Sequence, residues 1–357
     1  MNPQHQYELK AGLLRGLVWV ALTFALLLVG NLAAAAPVAT PPDRSSMLFP
    51  YYETEDVLAS VATHHYAKDT FDLLAQLESL NTATVQYCKG RATQEQLKAQ
   101  FAKAYLAWLK LSAVVMGPML DNNTVRQIDF RPVRLNLLER AINKKPQGAQ
   151  AMALIGSPAK GFPAFEYFLT QDNFKSETPQ CNYAQEVVLD ISRTVADLKW
   201  DKAQVMGADM PLYFNQLIGA THNLAWERME KPLLKNKDEA GVAHWPFMEL
   251  QLTEKAWAAQ WQGIEHLLLV NSQSVPQANA QVIPLEAYLR GLGKIELADN
   301  LVQHSSAVAA AIRNNDIENP ASVAQSVKAL KVLKVFLESE VARGLKVSVQ
   351  FSSSDGD

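Results

Sequence analysis

Three short stretches hold most of the side chains that could do chemistry. GFPAFEYFL (161–169) sets one carboxylate, Glu166, among Phe, Ala, Tyr and Leu. A carboxylate so placed can offer a hard oxygen to a metal, act as a base, or simply sit in the favourable field of a helix start. VRQIDFRPVRLN (125–136) carries Arg126, Asp129, Arg131 and Arg134 around Phe130 and Pro132. HNLAWERMEKPL (222–233) carries Trp226, Glu227, Arg228 and Lys231. Mixed charges of this kind either seam helices together through ion pairs or line a cleft that takes an anionic or metal-bound ligand. Both readings stand for both stretches. Asp129, Arg131, Glu166, Trp226 and Arg228 are the candidates for one shared cleft, with Glu166 able to meet a buried Arg or to bind a cation together with Asp129.

Several chemistries lack their residues. There is no HExxH, no GxSxG and no glycine loop for phosphate. His64, His65, His222, His244, His266 and His304 show no zinc-ligand spacing. His65 and Asp69 stand four apart and could share a cation, or could lie on an exposed polar helix face. His222, four residues before Trp226, reads as a half-buried core histidine. Glu265 and His266 are adjacent, so they diverge by about 100° on a helix and do not meet at one ion. The formal net charge of −3 offers no basic field for nucleic acid.

The elements that must position these residues read as helices. Phe101, Tyr105, Trp108 and Ser112, with Leu109 beside them, follow the helical period, as do Trp257, Trp261, Ile264, Leu267 and Leu268, and Val327, Leu330, Leu333 and Leu337. Prolines and glycines punctuate them at Gly117-Pro118, Pro132, Pro158, Pro179, Pro211, Pro246, Pro276, Pro284 and Pro320. The expected helices span 66–88, 92–116, 132–145, 147–156, 163–171, 181–199, 211–230, 250–272, 283–314 and 320–343. Irregular connections are expected over 117–131, 231–248 and 271–284. Thr93 followed by Gln96 has the order of a capping box, and Asn319-Pro320 fits N-cap and first helical position. Pro163 is likewise expected at a first helical position, which would put Glu166 in the first turn. LKVSVQF (345–351) alone alternates like a strand, and one strand cannot build a sheet. The class is therefore all-α.

The N-terminus has the layout of a secretory signal. Lys10 and Arg15 precede the apolar run GLVWVALTFALLLVG, and small residues up to Ala36 suit cleavage there. The expectation is a signal peptide over 1–36, with an uncleaved anchor as the alternative, and contact with a membrane only through that segment. An extended stretch over 37–54 then leads into the body of the chain. Export would bring the two cysteines, Cys88 and Cys181, into an oxidising compartment, where an even count favours a bridge. Closing a loop of that length contributes about 4 kcal/mol in the chain-entropy treatment.

Taken together these stretches resemble the imelysin-like family of exported bacterial proteins. GFPAFEYFL is similar to that family's GLPALEYLL stretch. VVMGPM followed by RQIDFRPVRLN is similar to its Gly-Pro turn and I-D-F-W-P segment, with Arg131 where Trp is usual. FNQLIGATHNLAWERMEKPL and the closing LKVSVQFSSSDGD also resemble family segments, and both cysteines fall where relatives carry them. The resemblance covers roughly 55–357. It implies two packed four-helix bundles, one over roughly 55–175 and one over roughly 181–345, and residence in the periplasm or cell envelope. It implies a link to metal, chiefly iron, acquisition, with iron or another divalent metal as cofactor, or alternatively a metallopeptidase. The family's G-x-H-x-x-E metal motif falls on Gly161, Pro163 and Glu166, so the histidine is replaced by Pro163. That departure leaves Glu166 as the one motif oxygen available to a metal, assigns no catalytic residue, and favours a non-catalytic binding or accessory protein. The partners expected are a metal or small anionic ligand and an envelope protein.

Overall fold

Thr93 shows how the sequence sets the helix starts. Its hydroxyl accepts from the Gln96 amide at 3.2 Å, and the Gln96 side chain accepts from the Thr93 amide at 2.9 Å. Two otherwise orphaned donors are satisfied, and the helix Gln94–Leu111 begins there. Asn319 caps the helix at Pro320 in the same spirit, its Oδ1 accepting from the Ala321 amide.

The computed structural model describes Arg44 and residues 47–200, 210–235 and 243–349. The expected signal segment 1–36, together with 37–43 and 350–357, lies outside these residues. Helices follow in order: α1 (54–88), α2 (Gln94–Leu111), α3 (Gly117–Asp121), α4 (Thr124–Ile128), α5 (Leu135–Lys144), α6 (Gly148–Ala153), α7 (Gly161–Leu169), α8 (Pro179–Ala196), α9 (210–235), α10 (Thr253–Leu268), α11 (Leu285–Gly291), α12 (Ile295–Arg313) and α13 (320–345). No strand occurs among the described residues, and the protein is all-α. The described part of the LKVSVQF stretch, 346–349, is irregular and is tied down by Asn215, whose side-chain amide donates to the Ser348 carbonyl at 3.1 Å. No described helix is long and apolar enough to cross a membrane.

Some boundaries differ from the sequence expectation for identifiable reasons. The run expected at 283–314 is two helices, because Gly293 adopts a left-handed φ of +73° between α11 and α12. The stretch expected to be irregular at 117–131 contains α3 and α4. Helix α1 begins at Thr54, twelve residues early, and three long helices each contain a π turn: Ala62–Tyr66 in α1, Leu224–Glu230 in α9 and Leu337–Val341 in α13. Most consequentially, α7 begins at Gly161 rather than at Pro163. Pro163 then takes the third helical position, where its missing N–H still costs nothing, and Glu166 moves into the second turn.

The helices gather in two groups. α1 packs along α2 and α8, and α7 packs on α8 and α2. α8, which the sequence suggested would open the second bundle, therefore groups with the first. The Cys88–Cys181 disulfide fixes the end of α1 to the start of α8, with Cα atoms 5.5 Å apart. In the second group α13 lies against α12 and α9. α10 joins the two groups, lying along α2 on one side and α12 on the other. Gly263 permits that approach: a Cβ there would lie 2.2 Å from the Lys110 carbonyl oxygen. The apolar stripes face inward as expected, with Phe101, Tyr105, Trp108 and Leu109 of α2 and Trp257, Trp261, Ile264, Leu267 and Leu268 of α10 all buried. Each large apolar side chain so removed from water contributes about 1.5–3 kcal/mol.

Candidate functional site

Gly161 brings the first candidates together. Its φ of +78° is left-handed, and a Cβ there would stand 2.1 Å from the Ile128 carbonyl oxygen. Only glycine lets the start of α7 close on the end of α4 in this way. Asp129 follows Ile128 directly, and Glu166 projects from the second turn of α7. Between them lies Arg131. Its Nε donates to Asp129 Oδ1 at 2.9 Å, its Nη2 donates to the Tyr105 hydroxyl at 2.9 Å, and its Nη1 stands 2.7 Å from Glu166 Oε2. The Tyr105 hydroxyl in turn donates to Asp129 Oδ2 at 3.0 Å. The guanidinium also lies over the Phe247 ring, 4.5 Å from its centroid, an arrangement that favours a cation.

This cluster is sheltered: the side chain of Asp129 is 2% exposed, that of Glu166 15% and that of Arg131 27%. Burial works against the charge of Arg131, but Asp129, Tyr105 and Glu166 more than offset it and raise its pKa. Burial pushes the Glu166 carboxyl above the usual carboxylate range, and attraction to Arg131 only partly opposes that rise. Arg131 and Glu166 attract one another as a close ion pair. Burial also raises the Tyr105 phenol well above its ordinary value.

Beside the cluster a cavity of about 390 Å³ opens, lined by Asp129, Arg228, Asn215, Gln216, Asn223 and Gln260 among others. Arg228 sits in the π turn of α9, and π turns recur at functional positions. Its carbonyl accepts from Trp257 Nε1 at 3.1 Å, and its charge is felt at the Tyr105 hydroxyl. So four of the five candidate cleft residues, Asp129, Arg131, Glu166 and Arg228, come together. Trp226 does not. Two positions from Arg228 along a helix is about 200° of rotation, and its ring meets Lys235 Nζ at 5.6 Å instead. Tyr105, Phe247 and Gln260 were missed. Tyr105 and Gln260 lie within helical runs whose sequence signal is core burial, and Phe247 comes from a connection far along the chain from its partner Arg131. Nothing in the local sequence marks any of them.

A second polar cluster lies where α1 meets α10. His65 Nδ1 and His266 Nδ1 stand 3.0 Å apart, so one imidazole donates and the other accepts. Asp69 Oδ1 accepts from Lys110 Nζ at 2.9 Å, and Asp69 Oδ2 lies 3.6 Å from His65 Nδ1. His65 and Asp69 are buried, not on an exposed face, because the π turn Ala62–Tyr66 directs His65 inward. Burial lowers both imidazole pKa values, and the positive charge of Lys110 lowers them further. His65 Nε2 and Asp69 Oδ2 have no hydrogen-bond partner among the described residues.

A metal fits neither cluster well. Among the described residues no group of three or more His, Cys, Asp or Glu side chains could hold an ion. At the 161–166 motif Pro163 is buried and offers no ligand, and the charge of Glu166 is already met by Arg131.

The peptidase M75 family model described as Imelysin matches residues 62–279. Two solved structures share the fold. An imelysin-like protein from Psychrobacter arcticum 273-4 superposes with a TM-score of 0.67 at 17% identity, over 84% of this chain and 97% of the other. A protein from Parabacteroides distasonis ATCC 8503, described as an iron-regulated protein A precursor, superposes with a TM-score of 0.65 at 12% identity, over 80% of this chain and 93% of the other. No curated protein matches the sequence.

Proposed function

The chain belongs to the imelysin family, and from that premise we propose that it is an exported, non-catalytic binding protein of the periplasm or cell envelope, linked to iron acquisition. One observation carries the reading. Where a metal motif would present its carboxylate to an ion, Glu166 faces the guanidinium of Arg131, and the histidine position holds buried Pro163. A catalytic zinc site needs about three protein ligands with an open position, and Glu166 with an arginine beside it supplies neither. The Arg131 cluster instead acts as a fixed, ion-paired wall beside the polar cavity. The iron link draws support from the Parabacteroides relative, a protein described as iron-regulated. The secretory layout of residues 1–36 supports export.

The test is an assay of the purified mature chain against an unfolded protein substrate, with and without a chelator, paired with growth of a deletion strain under iron limitation. The expected result is no cleavage and slowed growth in iron-poor medium that the restored gene corrects. Cleavage abolished by the chelator would replace this reading with the metallopeptidase one.

A further inference from the structure

The cavity beside the Arg131 cluster has a second arginine, Arg228, on its wall. Asp129 is matched twice, by the guanidinium of Arg131 and the hydroxyl of Tyr105. Arg228, on the same cavity wall, has no carboxylate partner among the described residues. Gln260, only 8% exposed, lines the same cavity. The half-buried Arg228 and the amide of Gln260 face the same cavity and leave hydrogen-bonding capacity open to whatever enters it. The guanidinium presents a planar fork that matches a carboxylate in two parallel hydrogen bonds. The amide supplies one donor and one acceptor, as a hydroxyl or second carboxyl needs. Asn223 and Gln216 extend the same neutral polar lining. At about 390 Å³ the space suits a small ligand.

We propose that this cavity binds a small organic hydroxycarboxylate, with a carboxylate on Arg228 and a hydroxyl or second carboxyl on Gln260. The proposal rests on the binding-protein reading and sharpens it: iron would enter as an anionic chelate held by Arg228, rather than as a bare cation. The same cavity explains why Arg131 can stay locked to Asp129 and Glu166, since the ligand needs only the free guanidinium.

Calorimetric titration of the purified mature chain tests this, with citrate, ferric citrate, bare zinc and uncharged glycerol as separate probes. Citrate is expected to bind, and Arg228→Gln to weaken it by roughly tenfold or more, with Arg228→Lys intermediate and Gln260→Leu weaker than the parent. Thermal melts establish that each variant folds. Should Arg228→Gln fail to fold, the probes on the parent chain still decide, because glycerol must not compete with citrate and added salt must weaken citrate binding. Absence of citrate binding, or equal binding by Arg228→Gln, overturns the proposal. Uptake of bare zinc without citrate overturns it while leaving a metal-linked role in place. Binding of citrate but not ferric citrate keeps the anion site and removes the iron link.

Discussion

The two polar clusters share one helix and solve opposite problems. Tyr105 and Lys110, five residues apart on α2, each anchor one of them. Around Tyr105 opposite charges face one another: a guanidinium meets two carboxylates and a phenol, so the cluster is held without any change of protonation. Around Lys110 two imidazoles face each other and must stay mostly neutral, while an Nε2 and a carboxylate oxygen go without partners. Both clusters draw on a π turn, which supplies Arg228 beside the first and His65 within the second. The first therefore owes its integrity to charge pairing and the second to pH. Each can be broken separately.

The largest effect is expected at Arg131. Arg131→Ala leaves Asp129 and Glu166 sheltered without their cation, and stability at pH 7 should fall by about 3–5 kcal/mol. Denaturant unfolding measures it. Asp129→Asn added to the same chain should return part of the loss, since one stranded charge is removed, and a simple sum of the two effects would show that the residues do not act as a unit. Removing the disulfide by Cys88→Ser with Cys181→Ser is expected to cost about 2–4 kcal/mol, a loss that weakens the group α1–α8 as a whole and serves as a scale for the first effect.

The histidine cluster should show itself through acid. Both imidazoles have pKa values lowered in the folded state, so the unfolded chain binds more protons below its ordinary histidine value of about 6.5. Their contribution is complete above that value. It is lost as pH falls from about 6.5 towards the lowered folded values, by up to about 1.4 kcal/mol per pH unit for each extra proton taken up. The groups facing the pair are Lys68, Asp69 and Lys110, and the two rings titrate as one coupled unit. His266→Gln should flatten the stability curve between pH 6.5 and 5. An unchanged slope in that variant would place the acid sensitivity elsewhere.

Glu166 should behave with the opposite sign and the smallest size. Its folded pKa is raised, so the contribution is present below the unfolded carboxylate value and is lost as pH rises through the folded one. Glu166→Gln should therefore remove a gain on the acid side, while changing stability at pH 7 by no more than about 1 kcal/mol, because attraction to Arg131 opposes the cost of burial. Paired unfolding curves at pH 7 and pH 4.5 read both quantities.

The scaffold was largely legible before any coordinates. Apolar stripes such as Phe101–Tyr105–Trp108 fixed which faces turn inward, Thr93 and Asn319 marked helix starts, and an even count of cysteines behind a secretory-type N-terminus pointed to a bridge. The site was legible in part. Glu166 was visible as a lone carboxylate in an apolar stretch, a strong local signal because such a charge is costly without a partner, and Asp129, Arg131 and Arg228 were visible within two charge-rich stretches. What stayed hidden depends on geometry that no periodicity records. The π turn of α9 leaves Trp226 facing Lys235 while Arg228 lines the cavity. The positive φ of Gly161 starts α7 two residues early and lifts Glu166 out of the helix-start role. His65 and His266 are 201 positions apart, and nothing in either local stretch indicates that their rings touch.

The central claim is that Arg131 occupies the electrostatic role a metal would otherwise play at Glu166. Elemental analysis of the mature chain, purified without chelator and then dialysed against iron and zinc, tests it directly, with Glu166→Ala in parallel. The expected result is no stoichiometric metal in either protein. One equivalent of metal in the parent chain, lost in Glu166→Ala, would contradict it.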